Sequence, residues 1–212
     1  MLSQFTTQSV ALRKAASPAL PRAISAVRAP AHVAVVLDAT AAEAGDTQVE
    51  ELIQGCLETG VAWLSLCPGG TLPQRAVTIQ RLNTFAAAHR KTLLDHGVIV
   101  GGIEGPLNIH IVKQTGREEL VSAVRSLAEK GIQANALTEP LLREHLPTAH
   151  LPAVDLLVHL GGEKSIGAFL TWQNAYAELL FIDVPWKRFT PAHFDFALND
   201  YAQRKRTYGG LK

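Results

Sequence analysis

The stretch DLLVHLGGEKSIGAFLTWQNAYAELLFIDVPW, residues 155–186, decides the fold of this 212-residue chain. It opens with the apolar run 156–158, which is typical of a strand buried on both faces of a parallel sheet. The glycines at 161 and 162 follow, and a backbone without Cβ atoms can approach a ligand closely. Further on, Glu178 lies among apolar residues, where a carboxylate is costly unless it is paired, hydrogen-bonded or bound to a metal. The alternative is a surface Glu at the end of a helix.

The segment HVAVVL, residues 32–37, predicts the first strand because it is apolar and rich in β-branched residues. It ends at Asp38, and an acid at the carboxyl end of such a strand lies where open α/β sheets bind ligands. The alternative is that Asp38 caps the following turn or helix. Further strands are predicted at 61–67, 97–101 and 107–112. The expected fold is a single α/β domain with a central, mostly parallel sheet flanked by helices.

The helices predicted between these strands carry apolar residues at helical spacing. The pattern over 118–130 indicates that Leu120, Val121, Val124 and Leu127 face the core. Residues 72–95 read as one uninterrupted helix. The predicted helices are 46–59, which ends at Gly60, 72–95, 118–130, 138–145 and 189–206.

Several motifs lie close together in this order: GGE at 161–163, FLTWQ at 169–173, AYAEL at 175–179, and then Trp186. This series resembles the C-terminal signature of the cis-prenyltransferases, the undecaprenyl and dehydrodolichyl diphosphate synthases. The segment HVAVVLDA at 32–39 and the tail RKRTYGG at 204–210 also resemble motifs of that family. The resemblance covers roughly residues 31–210. It implies the undecaprenyl diphosphate synthase-like fold and a transferase that joins isopentenyl diphosphate to an allylic diphosphate.

The resemblance also implies roles for individual residues. Asp38 matches the family's catalytic aspartate, which holds Mg²⁺ on the allylic diphosphate, and Glu178 is the second position implied for the metal. Arg206 lies one place before the position of an arginine in the family's tail, which reaches into the neighbouring subunit's site. The substrate-binding positions implied are Arg117, His159, Lys164, Arg206 and Gly209.

Arg117 also has an interpretation that needs no family. It stands at a predicted strand-to-helix turn, where an arginine can bind an anion together with the amides of the helix N-terminus. A solvated or capping arginine is the alternative.

Many of the residues with which the family binds phosphate are absent from this sequence. Residues 39–43 read ATAAE where the family has Gly-Asn-Gly-Arg-Trp, His159 and Ser165 stand in place of arginines, and 167–168 replace a Ser-Asn pair. Each lost charge-assisted contact weakens anion binding by about 1.5–3 kcal/mol. A homodimer of this chain is therefore expected to be very slow.

The first hypothesis is a poorly active or non-catalytic subunit of a heteromeric polyprenyl diphosphate synthase of the dehydrodolichyl type, acting in polyprenyl and dolichol biosynthesis. Its partner would be a catalytic homologue, to whose site it lends its C-terminal tail. The alternative is a self-sufficient, Mg²⁺-dependent prenyltransferase, working as a homodimer with Asp38, Glu178, Lys164 and His159. A third hypothesis is a non-catalytic binder of a prenyl lipid or diphosphate.

Composition narrows the remaining choices. A net charge of +1 does not favour binding of nucleic acid by bulk electrostatics. Cys56 and Cys67 have no metal-ligand spacing, and a reducing compartment is the default. Residues 1–30 carry several arginines and serines but no acid, which fits either an organellar transit peptide or an amphipathic helix lying on the domain or on a membrane. We expect residues 31–212 to form the domain, in the cytoplasm or at the periphery of a membrane.

Overall fold

The computed structural model describes residues 29–103, 105–163 and 169–207. Their regular structure alternates between strands and helices along most of the chain. The strands are β1 (His32–Leu37), β2 (Trp63–Pro68), β3 (Val98–Val100), β4 (Leu107–Ile111), β5 (Leu156–Leu160) and β6 (Glu178–Ile182). The α-helices are α1 (Thr47–Thr59), α2 (Leu72–Ala88), α3 (Arg90–Asp95), α4 (Gly116–Glu129), α5 (Glu139–Glu144) and α6 (Pro191–Gln203). Short 3₁₀ helices span Ala39–Ala42, Ala134–Ala136 and Trp186–Arg188.

The six strands form one sheet in the order β3-β4-β2-β1-β5-β6, and every paired strand runs parallel to its neighbour. This confirms the expected α/β class with a parallel central sheet. From β1 the chain first builds outward through β2, whereas β5 and β6 lie on the other side of β1. The strand order therefore reverses between β1 and β5, and in open α/β sheets such a reversal leaves a crevice at the carboxyl ends of the strands.

The core lies on both faces of the sheet because alternate side chains of each strand point to opposite sides. On one face the strands pack against α1, α2 and α6, and on the other they pack against the segments that precede and follow β5. Both β1 and β5 are buried along their whole length, as their apolar composition predicts. Buried residues of the first face include Val35, Ile53, Phe85, Val158 and Phe194, and those of the second include Val36, Cys67, Leu157 and Phe169.

The prediction of one helix over residues 72–95 was wrong. The chain forms two helices, α2 and α3, which meet at His89. No glycine or proline marks this break in the sequence. Phe85 before the break and Leu93 after it are both buried in the same core, so tertiary packing explains the break better than local propensity.

The predicted inward face of α4 was also partly wrong. Val121 and Val124 are 49% and 53% exposed, whereas Glu119, Ala123 and Leu127 are buried. The helix is rotated so that Glu119 reaches the polar side chain of Thr148, whose hydroxyl donates to its carboxylate at 3.3 Å. The buried hydrogen bond and the packing of the small Ala123 stabilise this orientation in place of the burial of the two valines.

No helix in the described ranges is long and apolar enough to cross a membrane. The N-terminal segment at 1–30, for which a leading helix or a targeting peptide is predicted, lies almost wholly outside the described residues.

Candidate functional site

The crevice between β1 and β5 brings Asp38 against the backbone of Gly161. The register pairs Val36 with His159, so Asp38 and Gly161, each two residues further on, lie at the same level. A Cβ atom on Gly161 would lie 2.7 Å from the Cβ of Asp38, closer than real side chains approach one another, and the φ angle of Gly161 is +87°. Glycine is therefore required here, and the carboxylate of Asp38 borders the crevice directly.

The two oxygens of Asp38 have different surroundings. Its Oδ1 accepts a hydrogen bond from the hydroxyl of Thr40 at 2.7 Å and another from the backbone N–H of Trp186 at 3.0 Å. No group in the described ranges donates a hydrogen bond to Oδ2, which would lie 3.2 Å from a Cβ on Gly161. Asp38 thus fixes the loops around it with one oxygen and presents the other to the crevice. Asp38 directly precedes the 3₁₀ helix Ala39–Ala42, but its side chain makes no capping hydrogen bond to that helix.

The backbone amides around this carboxylate already have partners. The N–H of Gly161 donates to the carbonyl of Val184 at 3.0 Å, that of Gly69 donates to Leu37 at 2.8 Å, and that of Ala41 donates to Asp38 at 3.1 Å. A phosphate group needs free N–H donors to be cradled by a backbone. These three amides do not offer them.

Glu178 lies at the amino-terminal ends of the strands, whereas Asp38 lies at their carboxyl ends. It is the first residue of β6 and pairs with Leu156, which in turn is level with Val33 of β1. Asp38 is five residues further along, or roughly 16 Å at about 3.3 Å per residue. The carboxylate of Glu178 is bound to Arg204 at 3.3 Å. The structure therefore does not bring the two predicted metal ligands together within one chain.

Arg206 is at this same amino-terminal edge. Its guanidinium forms an ion pair with Asp155 and donates to the carbonyl of Tyr176 at 3.2 Å. The other oxygen of Asp155 accepts hydrogen bonds from the N–H groups of Ala31 at 2.8 Å and His32 at 3.1 Å. Arg206 thus contacts its own subunit, on the side of the sheet away from Asp38.

The remaining predicted substrate residues are dispersed. His159 is 6% exposed in β5, with its ring 5.9 Å from that of Phe181 and Nδ1 3.1 Å from the carbonyl oxygen of Leu160. It lies below the crevice and not on its surface. Arg117 is exposed in the first turn of α4, at the carboxyl edge of the sheet but beyond β4. Lys164 and Gly209 lie outside the described residues.

The fit of Mg²⁺ to these residues rests on Asp38. Within the described ranges, no group of three or more His, Cys, Asp or Glu residues is arranged to hold a metal. Mg²⁺ is commonly bound by one or two carboxylates, with the phosphates of a substrate and water completing the shell. Asp38 suits that mode of binding, because it offers one oxygen to the crevice. Glu178 of the same chain does not fit as a second ligand.

Arg75 is a potential site residue that the sequence did not reveal. It belongs to α2, is only 9% exposed, and points to the start of α4, with its Nη2 atom 3.9 Å from the carboxylate of Glu118. A basic residue on the buried side of a helix was the available signal. The orientation of α2 was needed to use it.

The comparisons with known proteins agree with this architecture. The family model described as putative undecaprenyl diphosphate synthase matches residues 104–209. That is half of the chain, and it shows that the chain belongs to the cis-prenyltransferase family.

Two curated relatives illustrate the similarity. The ditrans,polycis-undecaprenyl-diphosphate synthase of Escherichia coli K12 is 44% identical over 101 residues, which are 46% of this chain and 40% of the length of that enzyme. The trans,polycis-polyprenyl diphosphate synthase of Thermobifida fusca is 29% identical over 242 aligned positions, covering 92% of this chain and 84% of that enzyme. The aligned segment therefore spans less than half of the length of the E. coli enzyme.

Solved structures share the fold at lower identity. Lavandulyl diphosphate synthase from Lavandula x intermedia, in complex with dimethylallyl diphosphate, superposes with a TM-score of 0.70 at 21% identity, covering 86% of this chain and 99% of the other. A probable undecaprenyl diphosphate synthase from Campylobacter jejuni gives 0.68 at 20% identity, covering 86% and 100%. At these identities the similarity establishes the fold alone.

Proposed function

We propose that this chain is a cis-prenyltransferase-type subunit with little activity of its own, which pairs with a catalytic homologue in a heteromeric polyprenyl diphosphate synthase of the dehydrodolichyl type. The observation that carries the proposal is the composition of the crevice. Of the predicted site residues that the structure describes, Asp38 alone borders it. Glu178 and Arg206 are held in ion pairs at the other edge of the sheet, and His159 is buried.

Prenyl transfer requires that two diphosphates be held side by side while the bond between the allylic carbon and its diphosphate breaks. A bound Mg²⁺ would supply positive charge to the departing diphosphate. The contribution of this chain is the exposed oxygen of Asp38, which can orient a hydrated metal–diphosphate complex. The N–H groups of Gly69 and Gly161 are engaged within the protein, so the backbone adds little to anion binding. A site with one carboxylate and few donors favours a supporting role.

The test compares this chain alone, a catalytic homologue alone, and the two together. Farnesyl diphosphate and radiolabelled isopentenyl diphosphate are supplied with Mg²⁺, and polyprenyl products are measured after extraction. We expect very low turnover by this chain alone and a rise in turnover when it is added to the homologue, together with co-purification of the two chains. Full activity of the solitary protein would contradict the proposal.

A second candidate is a self-sufficient, Mg²⁺-dependent prenyltransferase that condenses isopentenyl diphosphate with an allylic diphosphate. Two observations favour it: Asp38 is in place, and the Thermobifida fusca synthase aligns with 92% of this chain. Asp38→Asn is the informative variant, because an amide oxygen can still accept the hydrogen bonds from Thr40 and Trp186 while the charge is lost. If the solitary chain is the enzyme, its product formation should disappear in Asp38→Asn without a change in melting temperature.

A further inference from the structure

Arg75 carries a buried positive charge that its surroundings do not neutralise well. The residue is 9% exposed. Within the described part of the chain its guanidinium donates to the carbonyl of Lys113 at 3.5 Å and lies 3.9 Å from the carboxylate of Glu118. Both distances exceed the usual 2.7–3.2 Å of such hydrogen bonds. Among the described residues, nothing accepts a hydrogen bond from the buried Nε–H.

A guanidinium has five N–H donors, and a buried charge is normally both paired and hydrogen-bonded. An arginine in this condition has donor capacity left for a further acceptor, such as an anion.

The guanidinium of Arg75 lies beside the N-terminus of α4, which is fourteen residues long. The capping box between Thr115 and Glu118 uses the N–H groups of these two residues. The first turn of α4 also carries the N–H groups of Gly116 and Arg117, which an α-helix leaves without intrahelical acceptors, and the helix dipole favours negative charge there. The side chain of Arg117 and that of Lys113 are exposed at this point. Glu118 is the opposing charge.

The segment that follows β5 forms a wall of this space. The ring of Phe169 lies 5.3 Å from the Cζ atom of Arg75, as in a cation–π contact. Thr171 approaches the backbone of Gly116 so closely that a Cβ atom there would collide with its hydroxyl, side-chain carbon and backbone nitrogen. Gly116 is thus needed to bring the hydroxyl-bearing Thr171 against the start of α4. The result is a cationic niche with one aromatic and one polar wall.

The niche adjoins the crevice of Asp38. It lies at the carboxyl edge of the sheet, where α2 begins after β2. A Cβ atom on Gly70, just before α2, would meet the side chain of Ala39 at 3.2 Å, and Ala39 directly follows Asp38. A ligand that extends from Asp38 across the start of α2 would therefore approach Arg75.

We propose that Arg75, Arg117 and the first amides of α4 form a phosphate subsite for the diphosphate group of an isoprenyl diphosphate, an assignment of the ligand that rests on the proposed function. Arginine suits this ligand because its planar fork binds two phosphate oxygens at once. The subsite supplies positive charge that the turn Ala39–Ala42 does not. It places that charge on the β4 side of the crevice.

The experiment measures anion binding by the full chain, with inorganic pyrophosphate and farnesyl diphosphate as separate probes in calorimetric titrations and thermal melts. The variants are Arg75→Met, which keeps an apolar contact with Phe169, and Arg117→Gln on the surface. Arg125→Gln is the matched control, since it removes an exposed arginine from the same helix away from its N-terminus. We expect the Kd for pyrophosphate to rise about tenfold or more in the first two variants and to stay unchanged in the control.

A stability measurement separates binding from a structural role. Without ligand, Arg75→Met should melt at or above the wild-type temperature, because an under-satisfied buried charge is removed. The rise in melting temperature that pyrophosphate causes should be lost in that variant. Equal binding of both probes by wild type, Arg75→Met and Arg117→Gln would overturn the subsite, as would the absence of pyrophosphate binding by the wild-type chain.

The same measurements distinguish this inference from the proposed function. One outcome is pyrophosphate binding that depends on Arg75, in a chain that forms no prenyl product alone or with a homologue. That outcome supports the phosphate subsite and contradicts the assignment of an isoprenyl diphosphate as its ligand. Prenyl transfer that Arg75→Met and Arg117→Gln leave unaltered supports the proposed function and overturns the subsite.

Discussion

At the scale of single residues, the contact between Gly161 and Asp38 defines the crevice. Gly161 has a φ angle of +87°, a region that other residues enter at a cost of about 1–2 kcal/mol. Because Gly161 has no Cβ atom, the chain after β5 can pass close to the side chain of Asp38. The glycine pair that the sequence singled out for close approach to a ligand thus makes a close approach to an acid of its own chain.

Gly161→Ala should destabilise the protein by about 2–4 kcal/mol, since the strain of a positive φ angle is joined by a collision with Asp38. Gly60→Ala is the matched control. Gly60 has a φ angle of +75° at the end of α1, but nothing lies within 4 Å of a Cβ atom there, so that variant should lose only about 1 kcal/mol. Urea unfolding gives both values. Equal losses would mean that the contact with Asp38 is not tight.

Single residues also show what the sequence alone could predict. Asp38 was placed correctly at the end of β1 because a continuous apolar run and its last residue are both visible in the sequence. Arg75 could not be predicted, since its burial depends on which face of α2 turns to the sheet. The separation of Glu178 from Asp38 could not be predicted for a similar reason. The motif AYAEL contains a glutamate, but it does not show whether that residue lies at the amino or the carboxyl ends of the strands.

At the scale of elements, the segment after α6 is docked on the amino-terminal edge of the sheet by two arginines. Arg204 contacts Asp200 at 2.6 Å and Glu178 at 3.3 Å, and Arg206 pairs with Asp155. The side chains of Arg206 and Asp155 are 16% and 20% exposed, so this pair is only weakly screened by solvent. A role for Arg206 in a neighbouring subunit would require this pair to open.

A double-mutant cycle measures the interaction free energy between Arg206 and Asp155. Arg206→Gln and Asp155→Asn should each cost about 1–3 kcal/mol of unfolding free energy, and the double variant should cost clearly less than their sum because the two side chains interact. Asn at 155 can still accept the N–H groups of Ala31 and His32. Lys205→Gln, an exposed neighbour, serves as the control and should change little. Strictly additive losses would indicate that the side chains of Arg206 and Asp155 do not interact in solution.

The elements that the sequence predicted well are those whose burial is uniform. β1 and β5 are apolar except for His32 and His159, and both are buried along their whole length, so their prediction does not depend on distinguishing an alternating from a helical pattern. The buried faces of the helices were harder to predict because the orientation of a helix depends on the elements that pack against it. α4 turns Glu119 and not Val121 toward the core, and the break at His89 follows from packing on both sides of it and from no local signal.

At the scale of the whole molecule, the parallel sheet fixes which ends of the strands can meet. Residues that follow strands gather at the carboxyl edge, as Asp38, Gly161 and Arg117 do. Residues that begin or precede strands, as Glu178 and Asp155 do, gather at the other. This division explains why the preserved motifs of one family form, within this single chain, two separate groups of side chains. It also explains why the proposed activity is tested best in the presence of a second subunit.

The burial of two histidines in the sheet and of Glu119 in α4 predicts how the stability of the protein depends on pH. Burial lowers the pKa of His32 to about 4 and, with the nearby charge of His150, that of His110 to about 4. Burial raises the pKa of Glu119 to about 7, against a hydrogen bond from Thr148 that lowers it. The unfolded chain has ordinary values near 6.5 for histidine and 4.5 for glutamate.

As the pH falls from about 6.5 to 4.5, the unfolded state gains protons on the two histidines and the folded state keeps its extra proton on Glu119. The histidines therefore lower the stability toward acid, and Glu119 opposes them. As the pH rises from about 4.5 to 7, Glu119 lowers the stability, because the unfolded chain releases this proton while burial keeps it on the folded protein.

Glu119→Gln removes that opposing group and keeps an oxygen acceptor for Thr148. The variant should be more stable than wild type at pH 8 and lose stability more steeply between pH 6.5 and 4.5. Urea unfolding at pH 5, 6, 7 and 8 measures both effects, with the exposed Glu129→Gln on the same helix as the control. A difference between variant and wild type that stays constant from pH 5 to pH 8 would mean that Glu119 ionises at its ordinary pKa, and that the space between α4 and the sheet is open to water.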